Sequence, residues 1–195
     1  MSNEQHPDSP EPEIVPEIAS RHARRAFSDM PVSEPVIARL KKAASLAPSC
    51  FNNQPWRYLY LRGDAANVVH SRLSSGNYWV RRAPLVVLAA ARLEDDCRLG
   101  NGRDYALFDT GLSVSHLLLQ AEREGLYAHP IAGFMAEELA RDTGLPEDYI
   151  LVTVLAIGYP GDTHALTEKH RALETRVRVR RPLRETSFDQ TWELS

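Results

Sequence analysis

The chain has 195 residues, 43% hydrophobic, 25% charged and 8% aromatic, with 10 Gly and 13 Pro. That length supports one domain with a substantial core, and the mixture excludes wholesale disorder, a collagen repeat and a disulfide scaffold. Lys plus Arg total 23 against 26 Asp plus Glu, a net charge of −3, so a generally basic nucleic-acid binder is not indicated.

Residues 1–13 are Pro-rich and acidic and read as a disordered leader. Residues 1–17 carry five acids (Glu4, Asp8, Glu11, Glu13 and Glu17) and no Lys or Arg. With no basic n-region and no apolar h-region, this stretch does not read as a signal peptide. Regular structure is expected from 14–20 onward, in a single domain over 14–195. A helix is predicted at 33–47, with Ser33 as N-cap, Pro35 in its first turn, and Val36, Leu40, Ala43 and Ala47 on one face. Residues 56–62 read as a strand, 65–75 as a short helix and 85–91 as a buried strand.

The helix predicted at 104–124 is the most informative. Asp109, Ser113, His116 and Gln120 make one narrow polar stripe, while apolar side chains fill most of the remaining girth. Such a helix needs cover on more than one side, from the domain itself or from another subunit. Gly125 is its stop. A strand at 127–131, a short helix at 136–143, a buried strand at 149–157 and a turn at 158–162 follow. The tail, 176–195, carries an Arg cluster and the apolar residues Phe188, Trp192 and Leu194. Residues 169–185 hold seven bases against Glu174 and Glu185. Interspersed helices and short buried strands argue for an α+β or α/β layer architecture.

Most catalytic signatures are missing. There is no G-x-G-x-x-G after a strand and no G-x-x-x-x-G-K-[ST]. The serines of GLSVS at 111–115 are wrongly placed for a nucleophile elbow. The seven His residues are dispersed, so no metal site is indicated. Cys50 and Cys97 cannot form a zinc knuckle with each other and need not pair, a count that fits a reducing cytoplasm. The apolar runs fall short of a membrane span, and the expected location is the cytoplasm.

Three segments suggest chemistry. RHARR at 21–25 is either a phosphate grip or a solvated charge run. PSCFNNQPW at 48–56 is either a rigid loop presenting backbone and amide groups or a self-satisfied turn. HPIAGF at 129–134 is either a close backbone approach to a planar ligand at Gly133 or an ordinary turn. In order along the chain stand R-H-A-R-R-A-F (21–27), A-P-S-C-F-N-N-Q-P-W (47–56), D-T-G-L (109–112), L-L-L-Q-A (117–121), G-L (125–126) and P-I-A-G-F (130–134). This series resembles the FMN-dependent nitroreductase family, from about Arg21 to the C-terminal Arg cluster.

The resemblance implies an α+β nitroreductase-like three-layer fold, its central mixed or antiparallel sheet flanked by helices. It implies a homodimer with two FMN sites at the interface, and NADH or NADPH as electron donor. Arg21, His22, Ala23 and Arg25 match cofactor-binding positions, with Arg21 toward the phosphate and Arg25 toward the N1/O2 edge of the isoalloxazine. A fixed cation there stabilises charge on the reduced flavin. Pro48, Ser49, Cys50 and Asn52 match a loop that reaches the flavin held mainly by the other subunit. Pro130, Ile131, Ala132 and Gly133 match a loop against the ring, with the Gly133 amide near N5. Arg178 and Arg180 match a basic pair on the phosphate, with Arg181 as the competing register.

Departures from the family pattern are Ala23, where many members carry Ser, and Ala132, where some carry Glu. Asn77 or Arg81 is a candidate for the pyrimidine edge, and helices that shape substrate access in longer members are shortened between 91 and 104. The implied reaction is ping-pong, with hydride passing from NAD(P)H through flavin N5 to a nitroaromatic, quinone or similar small-molecule oxidant. The flavin carries the chemistry, so no catalytic side chain is assigned. Rival readings are a same-fold flavin enzyme acting in dehalogenation or flavin fragmentation, and a non-catalytic anion- or RNA-binding module. Neither nucleic acid nor membrane is expected as a partner.

Overall fold

Seven apolar residues in a row at 85–91 form a strand that is buried along its whole length, and alternation of its side chains builds both cores of the molecule. In the computed structural model, which describes residues 13–192, Leu85, Val87 and Ala89 face one core and Val86, Leu88 and Ala90 the other. Side chains of a strand point alternately to the two faces, so an uninterrupted apolar run requires cover on both. The elements in order are α1 (Pro16–Ser20), α2 (Glu34–Ser45), β1 (Trp56–Leu61), α3 (Asn67–His70), β2 (Leu85–Ala91), β3 (Arg98–Leu99), β4 (Arg103–Asp104), α4 (Tyr105–Arg123), β5 (Tyr127–Ile131), α5 (Ala136–Asp142), β6 (Ile150–Gly158) and α6 (Glu168–Glu174).

The main sheet has four strands in the order β1-β2-β6-β5, and every pairing is antiparallel. Helices α2 and α4 cover one face through Val36, Ile37, Leu40, Val114 and Leu117. The other face is covered by α3, the 3-10 run Ser75–Arg82 and α5, through Val69, Trp79, Val80 and Leu139. These are the three layers the resemblance implies. Each fully buried Leu is worth roughly 1.5–3 kcal/mol of transfer free energy, so the two cores specify the sheet register.

Most predicted elements stand within two or three residues of their expected ends. Gly125, at φ 71, closes α4 as its stop. The segment read as one helix over 65–75 is instead a 3-10 turn, the four-residue α3, a turn, and an isolated bridge from Leu73 to Phe134. Its β-branched pair Val68-Val69 and the glycines at 63 and 76 do not sustain a longer helix. Helix α6 is an element the sequence reading did not separate from the basic tail; Thr167 caps it, its side chain accepting from the His170 amide. Of the leader predicted at 1–13, residues 1–12 lie outside the described residues, as does Leu194. No helix among the described residues is long and apolar enough to cross a membrane.

The first half of the polar stripe of α4 faces inward, while His116 and Gln120 are half-exposed. Asp109 and Ser113 are buried, while Leu107 and Phe108 on the same helix are exposed. The Ser113 hydroxyl donates to the Ala44 carbonyl at 2.9 Å and accepts from Tyr58 Oη at 2.8 Å.

Candidate functional site

The path from α1 to α2 is anchored by Phe27, fully buried, which bridges Pro160 and stacks on Trp79 at 6.1 Å. That anchor orients Arg25 just before it. The Arg25 amide donates to both carboxylate oxygens of Glu174, at 3.1 and 3.2 Å. Its guanidinium stands 3.7 Å from Glu174 Oε1 and 5.7 Å from the Trp79 ring centroid. Glu174 ends α6 and is buried, a burial that these charge-assisted contacts offset.

Beyond α6 the chain turns back along α1. The Arg178 guanidinium donates to the carbonyls of Ile18, Ala19 and Arg21, at 3.4, 2.5 and 3.1 Å. These are acceptors left open by the end of a short helix. The result is a cleft of about 380 Å3 in which Arg21, His22 and Ala23 face Arg176, Arg178 and Arg180. Arg181 is not part of its lining. Among the described residues, none of these four arginines has an acidic partner. Among the described residues Arg180 bonds only its neighbour's carbonyl, at Val179 O. A cleft of uncompensated guanidinium groups fits a phosphate dianion.

Pro130 and Ile131 belong to edge strand β5, and Ala132 and Gly133 leave its end. The Gly133 carbonyl accepts from the Ser74 amide at 3.0 Å and from Asn77 Nδ2 at 2.8 Å. Among the described residues the Gly133 amide donates to no protein acceptor. A Cβ at this position would lie 2.8 Å from Asn77 Nδ2, so glycine is what admits the clamp. Asn77 thus holds Gly133, and Arg81 donates to the His70 carbonyl at 3.2 Å.

His129, also on β5, packs its ring 4.6 Å from Trp79 and sets Nδ1 2.9 Å from the Arg24 carbonyl. Burial, with the positive charges of Arg25, Arg21 and His170 adding to it, lowers its pKa to about 4. The imidazole is therefore neutral, Nδ1–H donating. Between pH 6.5 and 4 the unfolded chain binds a proton at this residue that the folded chain does not. Stability is then full above about pH 6.5 and falls by up to about 3 kcal/mol as pH drops toward 4. Melting temperature measured across that window should show the slope, and His129→Gln should flatten it; an equal slope in the variant would assign the acid sensitivity elsewhere.

Pro48, Ser49, Cys50 and Asn52 lie apart from this group. Their loop leads into β1, at the opposite edge of the sheet from β5 and three strand spacings away, roughly 14 Å. Phe51, Asn52 and Gln54 all have positive φ, at 48, 59 and 51; Asn tolerates this region, whereas it costs Phe51 and Gln54 roughly 1–2 kcal/mol each. Phe51 is 91% exposed. The Cys50 amide donates to Asp109 Oδ2 at 2.6 Å, Asn53 Nδ2 to Asp96 Oδ1 at 3.1 Å, and the Gln54 amide to Ser49 Oγ at 3.0 Å. The two cysteines, which by count need not pair, are joined in a disulfide. Tertiary folding brings together residues that are 47 positions apart, a proximity that spacing does not reveal.

Glu174, Trp79, His129 and the inward pair Asp96 and Asp109 were not singled out as site residues from the sequence. The only signal for Glu174 was its place as one of two acids, with Glu185, among the seven bases of 169–185.

The sequence model of the nitroreductase family matches residues 18–159. A Thermus thermophilus protein named NADH dehydrogenase is 27% identical over 172 residues, covering 73% of this chain and 84% of that one. An iodotyrosine deiodinase of Thermotoga neapolitana is 27% identical over 164 residues, 71% of this chain and 83% of its own. A crystal structure described as an oxidoreductase containing FMN superposes with a TM-score of 0.86 over 96% of both chains, at 24% identity. The fold, the order of the matched motifs and the family model agree: this chain belongs to the nitroreductase family.

Proposed function

We propose that the protein is an FMN-dependent oxidoreductase that draws electrons from NADH or NADPH and passes them to a small-molecule acceptor such as a nitroaromatic or a quinone. The observation that carries this reading is the cleft built from Arg21 and the tail arginines, whose guanidinium groups have no acidic partner among the described residues. Residues at opposite ends of the domain converge there on a space that needs an anion. Arg21, Arg178 and Arg180, with His22 and Ala23, would hold the FMN phosphate. Arg25, fixed by Glu174 and Trp79, would lay its charge along the pyrimidine edge of the ring. Pro130, Ile131, Ala132 and Gly133 would flank the ring, with the uncommitted Gly133 amide as a donor.

When bound, FMN supplies the two-electron transfer; the chain's own residues bind, orient and stabilise charge. Pro48, Ser49, Cys50 and Asn52 stand at the far sheet edge, an arrangement suited to serving a second subunit's flavin in a homodimer. The exposed Leu107 and Phe108 on α4, and Phe51 in the loop, favour such a partner copy. A cytoplasmic location fits the same reading. A second reading, reductive dehalogenation, is favoured by the likeness to the Thermotoga deiodinase.

The purified protein should be yellow, or become so on incubation with FMN, with flavin absorbance at one FMN per chain. A protein that neither carries nor takes up FMN would end the proposal. Steady-state NADH and NADPH oxidation with nitrobenzene, a quinone and an iodophenol then separates the two readings by the acceptor that supports turnover.

A further inference from the structure

The loop at 48–54 has a covalent tie as well as polar ones: the Cys50 and Cys97 sulfurs are bonded, their Cα atoms 6.2 Å apart. Both residues are partly exposed. Three consecutive or near-consecutive left-handed residues at Phe51, Asn52 and Gln54 make this backbone one that relaxes unless its surroundings over-determine it. Two of the three noncovalent ties end on the carboxylates of Asp109 and Asp96. Asp96 lies within 4.8 Å of both sulfurs, and its Oδ2 is buried without a hydrogen-bond partner. A covalent bond that can be broken therefore sits on a strained loop, beside a buried acid.

We infer that the Cys50–Cys97 bond is a thiol–disulfide exchange site for small-molecule dithiols, and that its reduction releases the 48–54 loop and weakens flavin binding. The second half rests on the reading that this loop meets FMN. A thiolate of the dithiol attacks one cysteine sulfur; a mixed disulfide forms as the Cys50–Cys97 bond breaks. The second thiol of the reductant then displaces the cysteine, leaving as the cyclic disulfide, and its two protons end on Cys50 and Cys97. Thiolates beside Asp96 and Asp109 are disfavoured by like charge, so the freed sulfurs hold those protons. Burial, reinforced by Asp96 and opposed by the Cys50 amide, raises the pKa of Asp109. Disulfides found in reducing compartments are typically transient and regulatory.

The test uses the full chain, FMN-loaded, in its oxidised form and after incubation with dithiothreitol, with flavin absorbance checked to remain oxidised. Alkylation and intact mass count the thiols, limited proteolysis reads the loop, and flavin fluorescence on dilution gives the FMN Kd. Reduction is expected to expose two alkylatable thiols in the folded protein, open a cleavage site within 48–54, and raise the Kd about tenfold if the loop keeps its binding form about one time in ten. Diamide should restore the starting values. Cys97→Ser should show the reduced-state Kd and no response to dithiothreitol; if it fails to fold, the wild-type comparison decides alone. An unchanged Kd and cleavage pattern with both cysteines alkylated overturns the inference. So do cysteines that react only after denaturation, or a pair isolated as thiols on a zinc ion. If the thiols titrate and the loop opens while neither form binds FMN, the exchange site stands and the flavin reading is what fails.

Discussion

Replacing Arg21 and Arg180 together by alanine is expected to weaken FMN binding roughly a hundredfold to ten-thousandfold. A hydrogen bond to a charged group is worth about 1.5–3 kcal/mol, and two such contacts to a phosphate sum to about 3–6 kcal/mol, with each 1.4 kcal/mol a factor of ten. The pair is chosen because neither guanidinium supports the fold. Arg180 bonds only the Val179 carbonyl, and Arg21 has no acidic partner among the described residues. Arg178 is a different case: its guanidinium fastens the tail to the carbonyls of Ile18, Ala19 and Arg21. Arg178→Ala should lower affinity by letting 176–180 swing away from 21–23, and proteolysis of the tail should rise with it. The measurement for the double variant is FMN titration by fluorescence quenching at two salt concentrations. Wild-type affinity should fall with added salt, and the variant's should fall less. Equal affinity of the two proteins at low salt would remove the phosphate from this cleft.

The layers were legible because burial writes itself into local pattern. The run at 85–91 has no polar residue to spare for either face, and 149–157 has one; both are central strands. What local pattern does not carry is which way a polar stripe points. Asp109 and Ser113 at helical spacing read as a stripe of α4, and their hydrogen-bond partners, the Cys50 amide, the Ala44 carbonyl and Tyr58 Oη, come from other parts of the chain. With those partners the stripe turns inward and leaves Leu107 and Phe108 outside. The site follows the same rule. Its arginines were visible as a charge imbalance, whereas the acid that fixes Arg25, Glu174, is 149 residues away. The glycine that admits the Asn77 clamp was visible only as part of P-I-A-G-F. The cysteine pair was open to either outcome until tertiary contact decided it.

Gly161→Ala is expected to destabilise the protein by about 4 kcal/mol or more, the range reached by few single substitutions. A Cβ at Gly161 would lie 2.2 Å from the carbonyl carbon of Phe27, 2.3 Å from its oxygen and 2.4 Å from the Ser28 nitrogen. All three are backbone atoms, so no side-chain rotation relieves the overlap. The two segments are laced where they meet, Gly161 N–H to Ala26 O and Ser28 N–H to Tyr159 O, each at 2.9 Å. Separating them breaks these bonds, at about 1 kcal/mol each, and draws Phe27 from its fully buried place against Trp79. Loss of a buried aromatic's packing alone costs roughly 3–5 kcal/mol. Gly76→Ala is the control, since nothing lies within 4 Å of its Cβ position, and its midpoint in urea should stay near that of wild type. The consequence for function follows from the chain path: Arg25 is two residues before Phe27, and its hold on Glu174 and Trp79 depends on that anchor. FMN affinity in Gly161→Ala should therefore fall under conditions where the variant is still folded. A variant with reduced stability and unchanged FMN affinity would separate the Phe27 anchor from the site and leave Arg25 positioned by Glu174 alone.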